Sequence, residues 1–172
     1  MEGEDGALVS RMEDCMAKIV FPQLPQFAGT YNRLGSHDDY PWKPLPWKGT
    51  FNKVLMFDRC TGLTLELAKV EKGAVFPEHY HTTVQTQFLV SGRIRVKSGD
   101  ILEPGTFNII PPGQQHGPFE AVEEAITFKY FASVPVYILP DGSTFIYRED
   151  GNTINAGKLQ FISSMKGQNF VS

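Results

Sequence analysis

The amino-acid sequence predicts an all-β domain, built as a sandwich or barrel of short strands. Between residues 51 and 148, apolar or alternating segments follow one another closely, without helical stretches between them. Tight-turn pairs separate these segments, for example Ser91-Gly92, Pro112-Gly113 and Asp141-Gly142. The composition agrees with this prediction, because 16 glycines and 12 prolines among 172 residues favour turns over long helices.

The chain divides into three parts in sequence order, within one predicted domain of residues 1–172. Residues 1–48 are predicted to form a short N-terminal helix (1–20, or alternatively a mobile tail) and a proline-rich arm with Trp42 and Trp47 as anchors. Residues 49–150 are predicted to be the barrel core, and residues 151–172 a C-terminal extension. The predicted strands of the core are 51–57, 62–70, 75–81, 84–91, 93–97, 106–111, 125–132, 134–139 and 143–148.

Charge and hydropathy exclude several classes of function. The formal net charge is −3 and no basic run occurs, which argues against nucleic acid or an anionic membrane as a partner. The acidic N-terminus does not resemble a secretory signal, and no apolar run is long enough to span a membrane. Cys15 and Cys60 lack metal-ligand or redox spacing, so we expect two reduced thiols in a cytoplasmic protein.

Three of the four histidines lie in one interrupted pattern. Its first half is Gly73-x5-His79-x-His81-x3-Gln85-x6-Gly92, and its second half is Gly105-x5-Pro111-x-Gly113-x2-His116-x3-Glu120. Side chains one residue apart on a strand point to the same side, and imidazole is the commonest metal ligand in proteins. The pattern therefore predicts a metal site formed by His79, His81 and His116. His37, in the proline-rich arm, is expected at the surface.

Strand alternation also predicts a substrate pocket. If His79 and His81 face the interior, Gln85 and Gln87 follow on the same face. A lysine is expected to reach solvent, so Lys129 should point outward and its neighbours inward. The resulting pocket would combine apolar walls with a few polar groups, although the aromatic residues could equally fill a core. Its predicted lining residues are Gln87, Phe88, Phe107, Phe128 and Tyr130.

The two halves of the histidine pattern resemble the motifs of the cupin superfamily, which are double-stranded β-helix (jelly-roll) barrels. The segment 130–142, which ends in Tyr-x2-Pro-Asp-Gly, is similar to the group that includes 2,4'-dihydroxyacetophenone dioxygenase and acetylacetone-cleaving enzymes. The resemblance implies that His79, His81 and His116 hold a non-haem iron(II). It also implies that O2 cleaves a C–C bond beside a carbonyl group of the substrate. Zn, Ni, Mn, Co or Cu could also occupy three imidazoles.

The sequence departs from the usual cupin pattern at two positions. Gln85 stands where a glutamate usually completes the first motif, and Glu120 where an asparagine usually ends the second. A neutral amide leaves the full charge of a metal dication uncompensated, which would favour an anionic chelating substrate. Gln85 could bind the metal weakly, orient a histidine or a metal-bound water, or merely fill space. Glu120 could act as a general base or lie at the surface.

Three hypotheses of function follow. The first is a dioxygenase that uses O2 to cleave a small enolisable ketone or diketone. The second is a metalloenzyme without redox chemistry, such as an isomerase, cyclase, lyase or decarboxylase. The third is a ligand-binding cupin without activity, which would have less need of all three histidines. Pairing through an apolar sheet face, with possible exchange of the proline-rich arm, predicts a homodimer.

Overall fold

A computed structural model of the chain describes residues 19–20 and 36–158. This part is almost entirely strand and turn, with one 3-10 helix at His37–Asp39 and no α-helix. The prediction of an all-β fold is therefore confirmed. The strands are β1 (Ile19–Val20), β2 (Lys43–Pro44), β3 (Thr50–Asp58), β4 (Thr64–Val70), β5 (Val75–Phe76), β6 (Gln85–Arg95), β7 (Ile101–Leu102), β8 (Phe107–Ile110), β9 (Phe119–Phe131), β10 (Val136–Ile138), β11 (Ser143–Tyr147) and β12 (Thr153–Lys158).

The strands form a nine-stranded antiparallel sheet and a three-stranded one. The large sheet runs in the order β1-β3-β4-β9-β6-β7, with β2 beside β3, β5 beside β9 and β8 beside β6. The long strands β6 and β9 pair with each other over most of their length, from Gln85 opposite Phe131 to Arg95 opposite Glu120. The small sheet runs β10-β11-β12. These crossing connections are those of a jelly roll rather than of an up-and-down meander.

A glycine allows the long strand β6 to bend around the barrel. Gly92 has a φ of 78° and interrupts the regular register between β6 and β9. A Cβ atom at this position would lie 2.0 Å from the carbonyl oxygen of Glu124, so no other residue fits without a shift of the backbone. This conformational requirement explains the glycine at the end of the first histidine motif.

The core lies between the inner faces of the two sheets. Phe76, Phe131 and Tyr137 are almost completely buried in it, together with smaller aliphatic residues from β4, β6 and β9. Trp47 covers this core, with its ring centroid 4.7 Å from that of Phe76. Each large buried aromatic side chain contributes about 3–5 kcal/mol relative to alanine. The predicted anchoring role of Trp47 is confirmed by these contacts.

The alternation of β9 is opposite to the one predicted. Thr127, Lys129 and Phe131 are buried, whereas Phe128 and Tyr130 are only partly buried on the opposite face. The prediction failed because it assumed that Lys129 must reach water. In the structure, Glu66 lies directly opposite Lys129 on β4 and provides a buried counter-charge.

Several predictions concern the ends of the chain. Ile19–Val20 form a strand antiparallel to Phe57–Asp58, so the predicted helix is wrong at these two residues. The rest of that helix, most of the proline-rich arm and residues 159–172 lie outside the described residues. β12 pairs with β11, so the small sheet continues into the predicted C-terminal extension.

Two further observations concern the cysteines and membrane-spanning helices. Cys60 is disulfide-bonded, so the prediction of two reduced thiols is wrong. Within the described ranges, no helix combines the length and hydropathy that a membrane span requires.

Candidate metal centre

The backbone brings the two histidine motifs together. His79 and His116 form a pair in which each amide N–H donates to the other's carbonyl oxygen, at 3.0 Å in both directions. Gly113, in the turn before His116, donates its amide N–H to the carbonyl oxygen of His81 at 2.8 Å. The positions of all three histidines are therefore set by main-chain hydrogen bonds rather than by contacts between their side chains.

Each imidazole is oriented by a hydrogen bond from Nδ1 to a backbone carbonyl. His79 Nδ1 lies 2.7 Å from the oxygen of Pro77, and His81 Nδ1 lies 2.8 Å from that of Val136. His116 Nδ1 lies 3.1 Å from the oxygen of Gln114. A carbonyl oxygen can only accept, so Nδ1 carries the proton in each ring. Nε2 of each neutral imidazole is then left with a free lone pair.

The free lone pairs converge on one point. The Nε2 atoms of His79 and His81 are 3.1 Å apart, and one ligand nitrogen from each of the three rings can be placed within 4.8 Å of the others. His116 Nε2 is buried and has no hydrogen-bond partner within the described part of the chain. Two ligands about 2.0–2.1 Å from one metal ion, at angles near 90–110°, would be roughly 2.9–3.4 Å apart. The donor set therefore fits a metal ion.

The electrostatics of the site favour neutral, metal-binding imidazoles. Burial lowers the pKa of His79 and His81 well below the usual value, and the neighbouring rings add to the shift. Burial likewise lowers the pKa of His116 to about 4. At neutral pH the three rings therefore carry no proton that would compete with a metal ion.

Aromatic side chains enclose the histidines. Tyr137 packs against both His79 and His81, with ring centroids 5.0 Å and 4.5 Å apart. Phe131 lies edge-on to His81 at 5.1 Å, and Phe119 flanks His116 at 6.0 Å. His79 and His81 are consequently only 1% exposed, whereas His116 is half-buried. Among the described residues, His116 is therefore the most accessible member of the cluster.

Gln85 lies in the interior beside the histidines, as the alternation of β6 predicted. It is completely buried, and its Nε2 donates to Oε1 of Gln87 at 3.1 Å. Its Oε1 atom has no hydrogen-bond partner among the residues described. The side chain lies close enough to His81 to favour the charged form of that ring, against the lowering effect of burial. Gln85 therefore presents a free acceptor at the edge of the site.

Glu120 lies outside the site. Its carboxylate accepts a hydrogen bond from Arg95 at 2.8 Å, and the side chains of both residues are substantially exposed. It is opposite Val75 and Arg95 in the sheet. The structure therefore provides no basis for the predicted role as general base, and the surface alternative describes its position.

The predicted pocket residues divide between the two faces of the sheet. Gln87 is buried and faces the interior, as predicted. Phe88 and Phe107 are 41% and 59% exposed, and they are direct neighbours on the outer face. Phe128 and Tyr130 share that face with them, so the prediction that these four aromatic residues line the interior is wrong. The error follows from the incorrect orientation assigned to Lys129.

The interior contains a row of polar residues that the sequence argument missed. Glu66, Lys129, Gln87 and Asn108 are consecutive cross-strand partners on β4, β9, β6 and β8. They line or adjoin a small cavity of about 30 Å³, which Phe76 and Phe119 separate from the histidines. The sequence pattern favoured the opposite arrangement, because Glu66 alternates with leucines in β4 and leucines are expected inside.

Comparison with known families identifies the chain. Residues 32–134 match the family model described as the ChrR cupin-like domain. The chain belongs to this cupin family. A comparison of the sequence with curated proteins gave no significant match.

Solved cupin structures have the same fold. An RmlC-like cupin from Ralstonia eutropha JMP134 is 24% identical, with a TM-score of 0.52 over 70% of this chain and 76% of its own. The acetylacetone dioxygenase of Acinetobacter johnsonii is 17% identical, with a TM-score of 0.52 over 79% of this chain and 88% of its own. The polyketide cyclase RemF from Streptomyces resistomycificus is 14% identical, with a TM-score of 0.52 over 76% and 89%. At these identities the similarity establishes the jelly-roll fold and no activity.

Proposed function

We propose that this cupin is a metal-dependent enzyme, a non-haem iron(II) dioxygenase that cleaves a C–C bond of a small diketone or hydroxyketone. The observation that carries the proposal is the convergence of three unprotonated Nε2 atoms at one buried point. Solved relatives of the same fold include an acetylacetone dioxygenase, which agrees with the proposal without deciding it. A bound iron ion would supply a positive charge and open positions for a substrate and O2.

The uncharged ligand set suits an enolised substrate. His79, His81 and His116 contribute no negative charge, and Gln85 replaces the carboxylate that would have reduced the charge of the site. An anionic oxygen chelate is therefore favoured electrostatically over a neutral ketone. The free Oε1 of Gln85 can accept a hydrogen bond from a hydroxyl group or a water molecule at the site.

The walls of the site would exclude water from the reaction. Tyr137 and Phe131 cover the inner side of the histidines, and within residues 36–158 the half-buried His116 marks the more open side of the site. Exclusion of water strengthens the attraction between the site and an anionic substrate, and it protects reactive species from hydrolysis.

The direct test is an oxygen-electrode assay of the purified full chain after reconstitution with iron(II). Pentane-2,4-dione and related hydroxyketones should be consumed together with O2, in equal amounts and in proportion to bound iron. The His79→Ala variant should lose both iron and O2 uptake.

Substrate turnover under strict anaerobiosis would instead establish the alternative, a cupin that uses its metal as a Lewis acid in an isomerase, cyclase, lyase or decarboxylase reaction. Absence of metal binding after reconstitution would leave the ligand-binding hypothesis.

The outer face of the sheet supports the proposal of a homodimer. Phe88, Val90, Phe107 and Ile109 form an apolar surface on β6 and β8, and each is 41–61% exposed. A continuous apolar surface of this kind is a common site of subunit pairing.

A cytoplasmic location also stays a proposal, and the disulfide at Cys60 argues against it.

A further inference from the structure

The amino group of Lys129 is buried in the interior and forms no hydrogen bond with its nearest carboxylate, that of Glu66. The residue is 6% exposed, and its Nζ lies 4.0 Å from Oε1 of Glu66, which is too long for a hydrogen bond. Nζ also lies 4.7 Å and 5.8 Å from the ring centroids of Phe76 and Tyr137. The carboxylate of Glu66 is also buried, and the side chains of Asn52 and Tyr137 lie close enough to lower its pKa against the raising effect of burial. A buried ion pair that served only to stabilise the fold would be expected to close to hydrogen-bonding distance.

Lys129 is one of the residues that line the small cavity. Lys129, Gln87 and Asn108 line it together, and Oδ1 of Asn108 is buried without a partner in the described structure. The remaining lining is mostly aliphatic or aromatic, so water is poorly accommodated except beside these polar groups. Polar groups that are buried and unsatisfied beside a cavity indicate a ligand that would complete their hydrogen bonds.

The cavity borders the metal centre. Lys129 Nζ is 4.7 Å from the ring centroid of Phe76, which lies 5.1 Å from that of His79. Gln87 lines the cavity and accepts the hydrogen bond of Gln85, whose other end lies beside His81. Phe76 therefore lies between Lys129 and His79, and a ligand chelated at the histidines would have to pass this side chain to place a second group beside Lys129.

The charge of the cavity specifies that second group. The nearest cation is Lys129, whereas Gln87 and Asn108 are neutral amides that can rotate to donate. Burial raises the pKa of Glu66 to about 7, so part of its negative charge is lost near neutral pH. Burial also lowers the pKa of Lys129, and an anionic oxygen beside Nζ would favour the charged form of the amine and pair with it.

We propose that Lys129 anchors a carboxylate of the substrate, so that the enzyme acts on an oxo acid that also chelates the metal. This inference rests on the proposed function for the metal-chelating end of the substrate. The small cavity restricts the anchored end to little more than a carboxylate. The substrate class is therefore a compact dioxo or hydroxyoxo acid rather than a neutral diketone.

The test compares two ligands that differ only at one end. Pentane-2,4-dione and 2,4-dioxopentanoate share the diketone, and the second has a carboxylate in place of one methyl group. Binding to the zinc-loaded full chain is measured by titration calorimetry, because zinc has no redox chemistry and the ligands stay intact. We expect the acid to bind at least about tenfold more tightly, the effect of one charge-assisted contact.

Two variants identify the anchor. Lys129→Met leaves Glu66 unpaired and could unfold, so Lys129→Met/Glu66→Gln removes both charges together. This double variant should lose the preference for the acid, while its affinity for pentane-2,4-dione and its zinc content are unchanged. Lys158→Met, which removes an exposed lysine paired with Asp141, should retain the preference.

The outcomes separate this inference from the proposed function. Equal affinity of the native protein for both ligands, or a preference that persists in the double variant, overturns the role of Lys129 whatever the enzyme catalyses. A preference that depends on Lys129 supports that role even if the iron-loaded protein consumes no O2, in which case the dioxygenase proposal alone fails.

Discussion

His79 and His116 hold each other in register through two reciprocal backbone hydrogen bonds of 3.0 Å. The two residues come from motifs in separate parts of the chain, and neither imidazole takes part in the pairing. The geometry of the site should therefore survive replacement of a single ligand side chain. This property makes the metal centre suitable for variants that test function without loss of the fold.

Replacement of His116 by alanine should remove metal binding and preserve the fold. The main-chain pair with His79 remains, while one of three converging nitrogens is lost. We expect metal affinity to fall by at least about 100-fold, since even partners outside the ligand set contribute 10–100-fold. Elemental analysis and competition with a chromogenic chelator measure the change. His37→Ala removes a histidine outside the pattern, and equal losses in the two variants would contradict the assignment.

The metal-free protein should become less stable as the pH falls from about 6.5 to about 4.5. The pKa values of His79, His81 and His116 are lowered in the folded state, so the unfolded chain binds more protons in this range. Glu66 acts in the opposite direction, because burial raises its pKa to about 7. Three histidines outweigh one carboxyl group, and each contributes up to about 1.4 kcal/mol per pH unit.

Chemical denaturation at several pH values measures this slope. The His116→Asn variant lacks one of the titrating groups, so its free energy of unfolding should fall less steeply with decreasing pH. A metal-free protein with constant or rising stability over this range would show that the histidines are not held neutral by burial.

Gln85→Glu should increase metal affinity by about tenfold or more. The new carboxylate would stand at a fully buried position beside His81 and compensate part of the charge of a bound dication. Gln114→Glu adds the same charge to an exposed side chain near His116 and serves as the matched control. Competition titrations with zinc measure both variants. Equal affinities in native protein and Gln85→Glu would place the side chain too far from the metal to matter.

The apolar outer surface should mediate dimerisation. Phe107→Glu/Ile109→Lys introduces charges at the two most exposed apolar positions of this face, 59% and 61% exposed. Analytical ultracentrifugation should show a dimer for the native protein and a monomer for the double variant. Ile154→Lys changes an apolar residue of similar exposure in the other sheet and should leave the dimer intact. A native protein that sediments as a monomer would refute the proposal.

Local patterns were sufficient for the fold class and for the cluster of three histidines. The spacing of His79 and His81 predicted a common orientation, and both side chains are buried at one site with His116. The same alternation placed Gln85 and Gln87 in the interior correctly. These predictions succeeded because alternation along one strand depends only on the backbone and not on distant residues.

The orientation of β9 could not be obtained in this way. Whether Lys129 faces water or the interior depends on Glu66, which is remote in sequence and meets it only when β4 and β9 pair. Because side chains alternate along a strand, assigning Lys129 to the outer face also assigned Phe128 and Tyr130 to the inner face. In the structure, both assignments are reversed. The rule that lysines are exposed fails where the fold supplies a buried counter-charge.

The sequence by itself determined a cupin with three clustered histidines and an uncharged glutamine where an acid is usual. Only the tertiary structure decided which residues surround that centre, because strand pairing brings Glu66, Lys129, Gln87 and Asn108 into one row. Ligand identity is a local property of a motif, whereas the charge and shape of a cavity arise from side chains on separate strands. The physical reason is that burial and counter-charges depend on contacts between strands that are remote in sequence. The local alternation of polar and apolar residues does not report such contacts.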